Sequence, residues 1–372
     1  MIDTAQRRNR FSLLSLLAIA SAFVVSWLGW MSPAPADVLI SGLPPGNAIT
    51  DGKALLRYAL PIDNKSVRDL QGTIEQISEA LRARRRLSVV NTNLLQAERI
   101  LDRAETLLLP SVVPSKVDDA NALIDQMKAK ILTMREAIDA QDKETIWLGR
   151  GELLDLIGLL EEDMVQGFPF EVPEEYSNLP QLKGRATIAM ETTQGSMEMV
   201  VDGYNAPVTA GNFVDLVQRK FYDGLPFIRT EDFYVAQVGD PPGPEDGFVD
   251  PKTGEYRAIP LEVMVEGDSV PTYGITLEDA GRYLDKPVLP FSAYGALGMA
   301  RPGDDPNGGS SQFFFFLFEP ELTPAGLNLL DGRYSIFGYV TSGKDTLGKI
   351  HEGDRILSAK VIKGAENLVQ PS

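Results

Sequence analysis

The stretch G-S-S-Q-F-F-F-F-L-F, residues 309–318, places four consecutive phenylalanines directly after a serine–glutamine pair. The apolar run is far shorter than the ~20 residues that a helix needs to cross a bilayer, and it is too apolar for a surface. Successive side chains of a β-strand point to opposite faces, so Phe313 and Phe315 would share one face and Phe314 would lie on the other. All four rings packed in a core is the simplest interpretation, but it leaves the polar Gln312 beside them unexplained.

Residues 184–372 predict a mostly β domain. The segments R-A-T-I-A-M-E-T and G-S-M-E-M-V-V-D-G alternate apolar and polar residues, which is typical of a β-hairpin. The segment P-V-T-A-G-N-F-V-D-L-V-Q-R-K, residues 207–220, has the spacing of a short amphipathic helix. Further strand-like runs are separated by Gly and Pro turns, and the pattern as a whole predicts a closed barrel with a few helices.

The residues before this domain predict an all-α bundle. Between residues 64 and 165, Leu70, Ile74, Ile77 and Leu81 recur at spacings of four, three and four, which is one face of a helix. Three similar stretches follow, and no β-hairpin signal interrupts them. The region therefore predicts a bundle of about four helices.

The N-terminus has the composition of an export signal. Arg7, Arg8 and Arg10 precede an uncharged stretch that ends in an A-x-A pattern at residue 36. The stretch also approaches the length of a membrane span, so an uncleaved anchor is the alternative. The predicted layout is a signal peptide or anchor at 1–36, a helical bundle domain at 37–166, a proline-rich linker at 167–183 and the β domain at 184–372.

Composition excludes several classes of function. The chain has 52 acidic and 35 basic residues and a net charge of −17, which argues against a nucleic-acid binder. The basic segment R-A-R-R-R at 82–86 is either a solvated helix face or a surface that docks on acidic groups. The absence of cysteine excludes disulfides and thiol nucleophiles. His351 is the single histidine, which argues against a zinc site and a Ser-His-Asp triad.

Five motifs, in order, resemble the cyclophilin family. N-A-P-V-T-A-G-N-F-V-D-L-V is similar to the family's first helix, and F-I-R at 227–229 stands where the family has phenylalanine–histidine–arginine. Gln237 follows Arg229 by eight residues, as the family's glutamine does in Q-G-G-D. S-S-Q-F-F-F resembles G-S-Q-F-F, and L-L-D-G-R-Y-S-I-F-G-Y-V resembles L-D-G-x-x-x-x-F-G-x-V. The resemblance spans about 184–364, with an insertion near 263–290, and it implies a cyclophilin-like closed barrel.

The resemblance implies peptidyl-prolyl cis–trans isomerase activity, which makes no bond and needs no metal or cofactor. Rotation about a peptide C–N bond has a barrier of ~18–20 kcal/mol, and an always-charged guanidinium suits donation to the imide nitrogen. By the resemblance, Arg229 is this catalytic donor, and the second catalytic residue, Gln237, orients Arg229 and binds the substrate backbone. The implied substrate-binding residues are Phe227, Tyr234, Val235, Arg301, Gln312, Phe314, Leu329 and Tyr334.

Several rim positions depart from the family pattern. Tyr234 and Val235 replace phenylalanine and methionine, and Arg301 replaces a small polar residue. Leu329 replaces a tryptophan that contacts cyclosporin in the family, and Tyr334 replaces a histidine. We therefore expect weak activity on small peptides and poor cyclosporin binding.

Two classes of function remain open at this stage. The first is an exported isomerase that assists folding of proline-containing polypeptides, and the second is a non-catalytic assembly factor that binds a subunit through the groove and the bundle. The layout resembles the large multidomain cyclophilins of the thylakoid lumen, which implies a photosystem II subunit as the client. The implied location is the thylakoid lumen or the periplasm, with membrane contact only through the N-terminal segment and no nucleic-acid partner.

Overall fold

The computed structural model describes residues 49–82, 87–231, 234–318 and 328–371. The predicted signal peptide or anchor at 1–36 lies outside the described residues, as does most of the basic segment at 82–86. None of the helices in the described ranges has the length and apolar character needed to cross a membrane.

The first half of the described chain is helical. Asn64 begins the second helix by accepting a hydrogen bond from the backbone N–H of Val67, and Asp142 caps the last helix through Thr145. The faces predicted from the sequence are buried together, with Leu70 and Ile74 in the bundle core. The helices are α1 (Gly52–Tyr58), α2 (Lys65–Glu75), α3 (Ile77–Arg82), α4 (Leu87–Leu101), α5 (Ala104–Leu107), α6 (Val117–Asp139) and α7 (Lys143–Glu162).

Helix α1 lies before residue 64, where the helical periodicity of the sequence begins. It packs on the β domain, where Leu55, Leu56 and Ala59 share a buried cluster with Tyr339 and other residues of the sheet. A Cβ at Gly52 would lie 2.7 Å from the Cβ of Tyr339, so only glycine lets the helix approach this closely. The helical half therefore continues onto the sheet, although the domain boundaries drawn from the sequence stay predictions.

The bundle holds the C-terminal end of α1 through one arginine. Arg68 donates from Nη1 to the carbonyl of Arg57 at 2.9 Å and from Nη2 to the carbonyl of Leu60 at 3.1 Å. Its Nη1 also donates to the buried carboxylate of Glu161 at 3.0 Å. Burial raises the pKa of Glu161 to about 7. The contact adds side-chain donors to one carbonyl in the last turn of α1 and to one just after the helix, where regular intrahelical bonding stops.

The β domain holds the same helix end from the other side. Arg185 donates from Nη2 to the carbonyl of Leu56, and Asn205 donates from Nδ2 to the carbonyl of Ala59 at 3.0 Å. Arg185 also pairs with Asp202 at 2.6 Å, and the Asp202 side chain is fully buried. The carbonyls of α1 therefore connect the bundle to the sheet.

The β domain contains a curled sheet of eight strands in the order β11-β2-β3-β10-β8-β9-β5-β4. Helix α8 (Pro207–Gln218) packs inside the curl, with Phe213 in the core. The eight strands of the curled sheet are β2 (Arg185–Thr192), β3 (Gly195–Asp202), β4 (Phe227–Glu231), β5 (Val235–Val238), β8 (Ala296–Met299), β9 (Phe313–Phe316), β10 (Ile336–Ser342) and β11 (Ile356–Lys363). The smaller elements are β1 (Gln181–Leu182), β6 (Glu262–Val263), β7 (Thr272–Tyr273), β12 (Leu368–Val369) and helix α9 (Lys344–Leu347).

The prediction of a closed barrel is wrong. In the described part of the chain, β4 and β11 are the two edges of the sheet, and no ladder joins them. A single bridge between Pro226 and Arg355 brings the start of β4 close to the start of β11. Backbone hydrogen bonds flank this bridge, from the N–H of Ile356 to the carbonyl of Leu225 at 3.0 Å and from the N–H of Phe227 to the carbonyl of Asp354 at 2.7 Å, so the two edges meet here without forming a ladder.

The alternation predicted for the four phenylalanines is confirmed. Phe313 and Phe315 lie in the inner core, where Phe313 meets Phe213 edge-on at 5.0 Å between ring centroids. Phe314 and Phe316 lie on the opposite, outer face of the sheet. There they belong to the buried cluster that contains Leu55 and Leu56 of α1, called the outer cluster below. Both faces of β9 are therefore covered, which explains why the strand is apolar throughout.

A buried carboxylate begins helix α8. Glu262 accepts hydrogen bonds from the backbone N–H groups of Val208 at 3.2 Å and Thr209 at 2.9 Å, and from the Thr209 hydroxyl. Burial raises the pKa of Glu262 from 4.5 to about 7, although these hydrogen bonds favour the ionised form. The insertion predicted near 263–290 begins directly after this residue.

Replacing Arg185 with methionine should strongly destabilise the chain. The substitution leaves Asp202 buried without its cation and the Leu56 carbonyl without its donor, and breaking a buried pair in this way costs about 3–5 kcal/mol. Urea denaturation followed by circular dichroism measures the change. Lys65→Met removes a solvent-exposed ion pair with Asp69 and should leave stability nearly unchanged. Equal midpoints for the two variants would contradict the role given to Arg185.

Replacing Glu262 with glutamine should flatten the dependence of stability on pH. Because its pKa is raised from 4.5 to about 7 on folding, the folded chain binds more protons than the unfolded chain between these pH values. Stability therefore falls as pH rises through this window and levels off above pH 7. Glu161 contributes in the same direction, so the flattening is partial. An unchanged slope between pH 5 and pH 8 would show that Glu262 does not titrate in this range.

Candidate functional site

A row of paired positions crosses four adjacent strands on the outer face of the sheet. Arg229 of β4 pairs with Gln237 of β5, Gln237 pairs with Phe314 of β9, and Phe314 pairs with Gly298 of β8. Side chains at directly opposed positions share a face and interact. The sheet therefore brings the two residues predicted to be catalytic next to the ring predicted to line the proline pocket.

Two aromatic rings cover Phe314, whose exposed fraction is 6%. Phe291 stacks on it with 5.7 Å between centroids and 7° between planes, and Tyr334 meets it edge-on at 5.5 Å. A Cβ at Gly298 would lie 2.4 Å from Cζ of Phe314, so the bare backbone of β8 makes room for the ring. The ring of Phe314, predicted to bind substrate, is therefore covered in this structure.

Tyr334 is the outer of the two covering rings. It is partly exposed, whereas Phe291 is 2% exposed. The guanidinium carbon of Arg301 lies 5.2 Å from the Tyr334 ring centroid, within the range of a cation–π contact. Arg301 is itself held, because its Nε donates to the carbonyl of Arg333 at 2.9 Å. Arg301 and Tyr334, two positions predicted to bind substrate, thus stabilise each other over Phe314.

Phe291 is a site residue that sequence reasoning missed. It lies between the insertion and β8, outside the five motifs on which the resemblance rests. Its backbone N–H donates to Oδ1 of Asp331 at 2.8 Å, and its carbonyl accepts from Nδ2 of Asn328 at 3.1 Å. Burial raises the pKa of Asp331 to about 6, although it accepts two backbone hydrogen bonds. The loop that carries Tyr334 therefore also fixes the inner ring.

The side chain of Arg229 hydrogen-bonds to Glu231 and not to its cross-strand neighbour Gln237. Its Nε donates to Oε1 of Glu231 at 2.7 Å, and its Nη2 donates to the same oxygen. The exposed fractions of the two side chains are 52% and 48%, so the ion pair lies at the surface. In this structure Glu231 is the hydrogen-bond partner of Arg229, so the orienting role of Gln237 stays a prediction.

Gln237 and Gln312 form a second polar pair beside Phe314. Gln237 donates from Nε2 to Oε1 of Gln312 at 2.7 Å. Gln312 in turn donates from Nε2 to Oδ1 of Asp240 at 3.1 Å and to the carbonyl of Asp246 at 2.8 Å. The amides that a substrate backbone would use are therefore hydrogen-bonded to each other.

Two residues predicted to bind substrate lie elsewhere. Phe227 is buried in the inner core and packs against Phe315 at 6.3 Å, because a register shift between Phe227 and Arg229 puts them on opposite faces. Phe227 is therefore not part of the outer face in this structure, and its role in substrate binding stays a prediction. Leu329 is 85% exposed and makes no part of the buried cluster around Phe314, so this structure does not place it in the pocket.

The two remaining predicted residues, Tyr234 and Val235, lie beside and within the outer cluster. Val235 is buried within it, and Tyr234 lies edge-on to Phe316 with 6.4 Å between ring centroids. They extend the apolar surface from Phe314 toward the tip of the hairpin that β4 and β5 form. Within the described ranges, no group of three or more carboxylates and histidines is arranged to hold a metal ion.

The two halves of the chain match two families. Residues 51–165 match the family described as peptidyl-prolyl cis-trans isomerase CYP38-like, PsbQ-like domain. Residues 187–367 match the family described as cyclophilin type peptidyl-prolyl cis-trans isomerase/CLD. The first match includes α1, and the second includes every residue of the row on the outer face.

Full-length relatives share the same layout. A Synechocystis protein named putative thylakoid lumen peptidyl-prolyl cis-trans isomerase is 55% identical over 364 residues, covering 98% of this chain and 96% of the relative. Arabidopsis thaliana CYP38, chloroplastic, is 46% identical over 90% of this chain and 78% of the relative. Arabidopsis thaliana CYP37, chloroplastic, is 33% identical over 97% of this chain and 78% of the relative. With the fold and the Arg229–Gln237–Phe314 row, these matches show that the chain belongs to the cyclophilin-type peptidyl-prolyl cis-trans isomerases, in the group with a CYP38-like, PsbQ-like helical domain.

Proposed function

We propose that the chain is a peptidyl-prolyl cis-trans isomerase of the thylakoid lumen that acts on proline-containing segments of photosystem II subunits. The observation that carries the proposal is the alignment of Arg229, Gln237 and Phe314 on adjacent strands. A cationic donor, an amide and an aromatic floor on one face are the groups that binding and rotating a prolyl bond requires.

The reaction needs electrostatic assistance without covalent catalysis. The X-Pro bond resists rotation because its C–N bond is partly double, and both isomers are populated because the amide is tertiary. As the bond twists, the imide nitrogen loses resonance and becomes a better acceptor. A guanidinium donor aimed at this nitrogen stabilises the twisted state more than either planar state, which is the condition for catalysis. Arg229 is the cationic residue in the row that also contains Gln237 and the aromatic ring of Phe314.

Binding requires a local rearrangement of the closed site. The proline ring would pack on Phe314, so the partly exposed Tyr334 ring must turn away. Gln237 and Gln312 would exchange their mutual hydrogen bond for bonds to the substrate backbone. Because these contacts lie near the surface and are individually weak, we expect the site to open without separation of the two domains.

The relatives and the layout support the proposed location and client. One relative is named as a thylakoid lumen protein and two are named as chloroplastic, which supports the lumen over the periplasm. The helical half matches a family described as PsbQ-like, and this supports a photosystem II subunit as the client. Co-purification of the tagged chain from thylakoids tests both parts of the proposal.

A non-catalytic assembly factor is the second candidate. The coverage of Phe314 by Tyr334 and Phe291 favours it, because a closed pocket does not bind proline. In that case the bundle and the remaining surface of the β domain would bind the subunit. The two candidates differ in whether turnover depends on Arg229.

Replacing Arg229 with alanine should abolish most of the isomerase activity. Loss of one donor aimed at developing charge typically lowers kcat by about 100- to 1,000-fold. A protease-coupled assay with a proline-containing peptide measures the rate. Arg135→Ala removes a comparable arginine that pairs with Glu98 on the bundle and serves as the control. Equal rates for wild type and Arg229→Ala would favour the assembly factor.

Replacing Tyr334 with alanine should strengthen binding of a proline-containing peptide. The substitution removes the outer cover of Phe314, and an aromatic pair contributes about 0.5–1.5 kcal/mol, which corresponds to a gain in affinity of up to about tenfold. Isothermal titration calorimetry gives the Kd. Tyr283→Ala, which truncates an exposed tyrosine in the insertion, should leave the Kd unchanged. Weaker binding by Tyr334→Ala would show that the ring contacts the substrate instead of covering its pocket.

A further inference from the structure

We propose that Glu231 restrains the catalytic arginine, so that the ion pair between Glu231 and Arg229 keeps isomerase activity low until substrate or salt breaks it. The inference rests on the proposed function, because it assigns a positioning role toward Arg229. It adds a residue that neither the motif comparison nor the relatives identify.

The strand geometry makes the pairing local and direct. Arg229 and Glu231 are two residues apart on β4, and their partners on β5 are Gln237 and Val235. Both partners lie on the outer face, since Val235 belongs to the outer cluster and Gln237 pairs with Phe314. The carboxylate of Glu231 therefore lies on the same face of the sheet as the guanidinium of Arg229, two residues further along the strand.

The contact occupies one edge of the guanidinium. Nε and Nη2 both donate to the same oxygen of Glu231. The guanidinium is thus bound to a residue of its own strand, and Gln237 hydrogen-bonds to Gln312. Because donors held by a carboxylate cannot also donate to an imide nitrogen, the resting arrangement removes part of the donor capacity that catalysis needs.

The charge of Glu231 acts in the same direction. An anion in contact with Arg229 lowers the positive potential at the place where the imide nitrogen gains electron density. Both side chains are about half exposed, so the pair is weak and salt screens it. An arrangement of this kind restrains the arginine without locking it, and substrate binding can displace the carboxylate.

The test compares wild type with Glu231→Gln, which keeps the size of the side chain and removes its charge. With an uncharged proline-containing peptide at low salt, we expect kcat/KM to rise about twofold to fivefold, the range that an exposed ion pair provides. The activity of wild type should rise as NaCl increases from about 10 mM to 1 M, because the Debye length falls from about 30 Å to 3 Å. Glu231→Gln should show little salt dependence.

Three further variants make the outcome decisive. Glu98→Gln removes the acidic partner of Arg135 in a surface ion pair of the bundle and should behave like wild type at every salt concentration. Glu231→Ala should match Glu231→Gln, which excludes a new hydrogen bond from the glutamine amide as the cause. The double variant Arg229→Ala/Glu231→Gln should show no gain over Arg229→Ala.

The failure of this inference is distinguishable from the failure of the proposed function. If Arg229→Ala loses activity but both Glu231 variants are equal to or slower than wild type, Glu231 does not restrain the arginine and the isomerase proposal stands. If Arg229→Ala has the activity of wild type, the isomerase proposal fails and this inference fails with it. A rise in Glu231→Gln that persists in the double variant would also overturn the inference.

Discussion

The arrangement of the two domains depends on the carbonyl groups at the C-terminal end of α1. The last carbonyls of a helix have no partners within it, and a buried polar group without a partner costs free energy. Here the donors come from Arg68 in the bundle and from Arg185 and Asn205 in the β domain. Because one helix end needs both sets of donors, the bundle and the sheet are held together at this point.

This contact determines the character of the outer face of the sheet. With α1 in place, Leu55 and Leu56 join Tyr339, Phe314 and Phe316 in a second hydrophobic cluster. The row of candidate catalytic residues lies at the edge of this cluster, where apolar burial gives way to polar side chains. The apolar cluster that stabilises the contact between the domains therefore also contains Phe314, the ring predicted to bind proline.

The features of the fold and the candidate site that depend on local periodicity or on the order of motifs could be predicted from the sequence. The alternation along the four-phenylalanine strand was predicted because a strand has a period of two. The substrate-binding role of Phe227 came from the resemblance alone, and a register shift before Arg229 places this ring on the inner face. Phe291 and the ion pair between Arg229 and Glu231 depend on tertiary contacts and on a choice of side-chain conformation, and neither leaves a signal in the sequence. The seven-residue helix α1 is likewise too short to be marked by periodicity.

The relative strengths of these contacts indicate how the site opens. Separating the domains would break the hydrogen bonds from Arg185 to Leu56 and from Asn205 to Ala59, and it would also expose the apolar cluster that α1 shares with the sheet. The pair between Arg229 and Glu231 is about half exposed, and such pairs contribute about 1 kcal/mol or less. Thermal energy and substrate binding break the weaker contact first. Activation by a change at Glu231 and Tyr334 is therefore compatible with a bundle that stays docked on the sheet throughout the reaction.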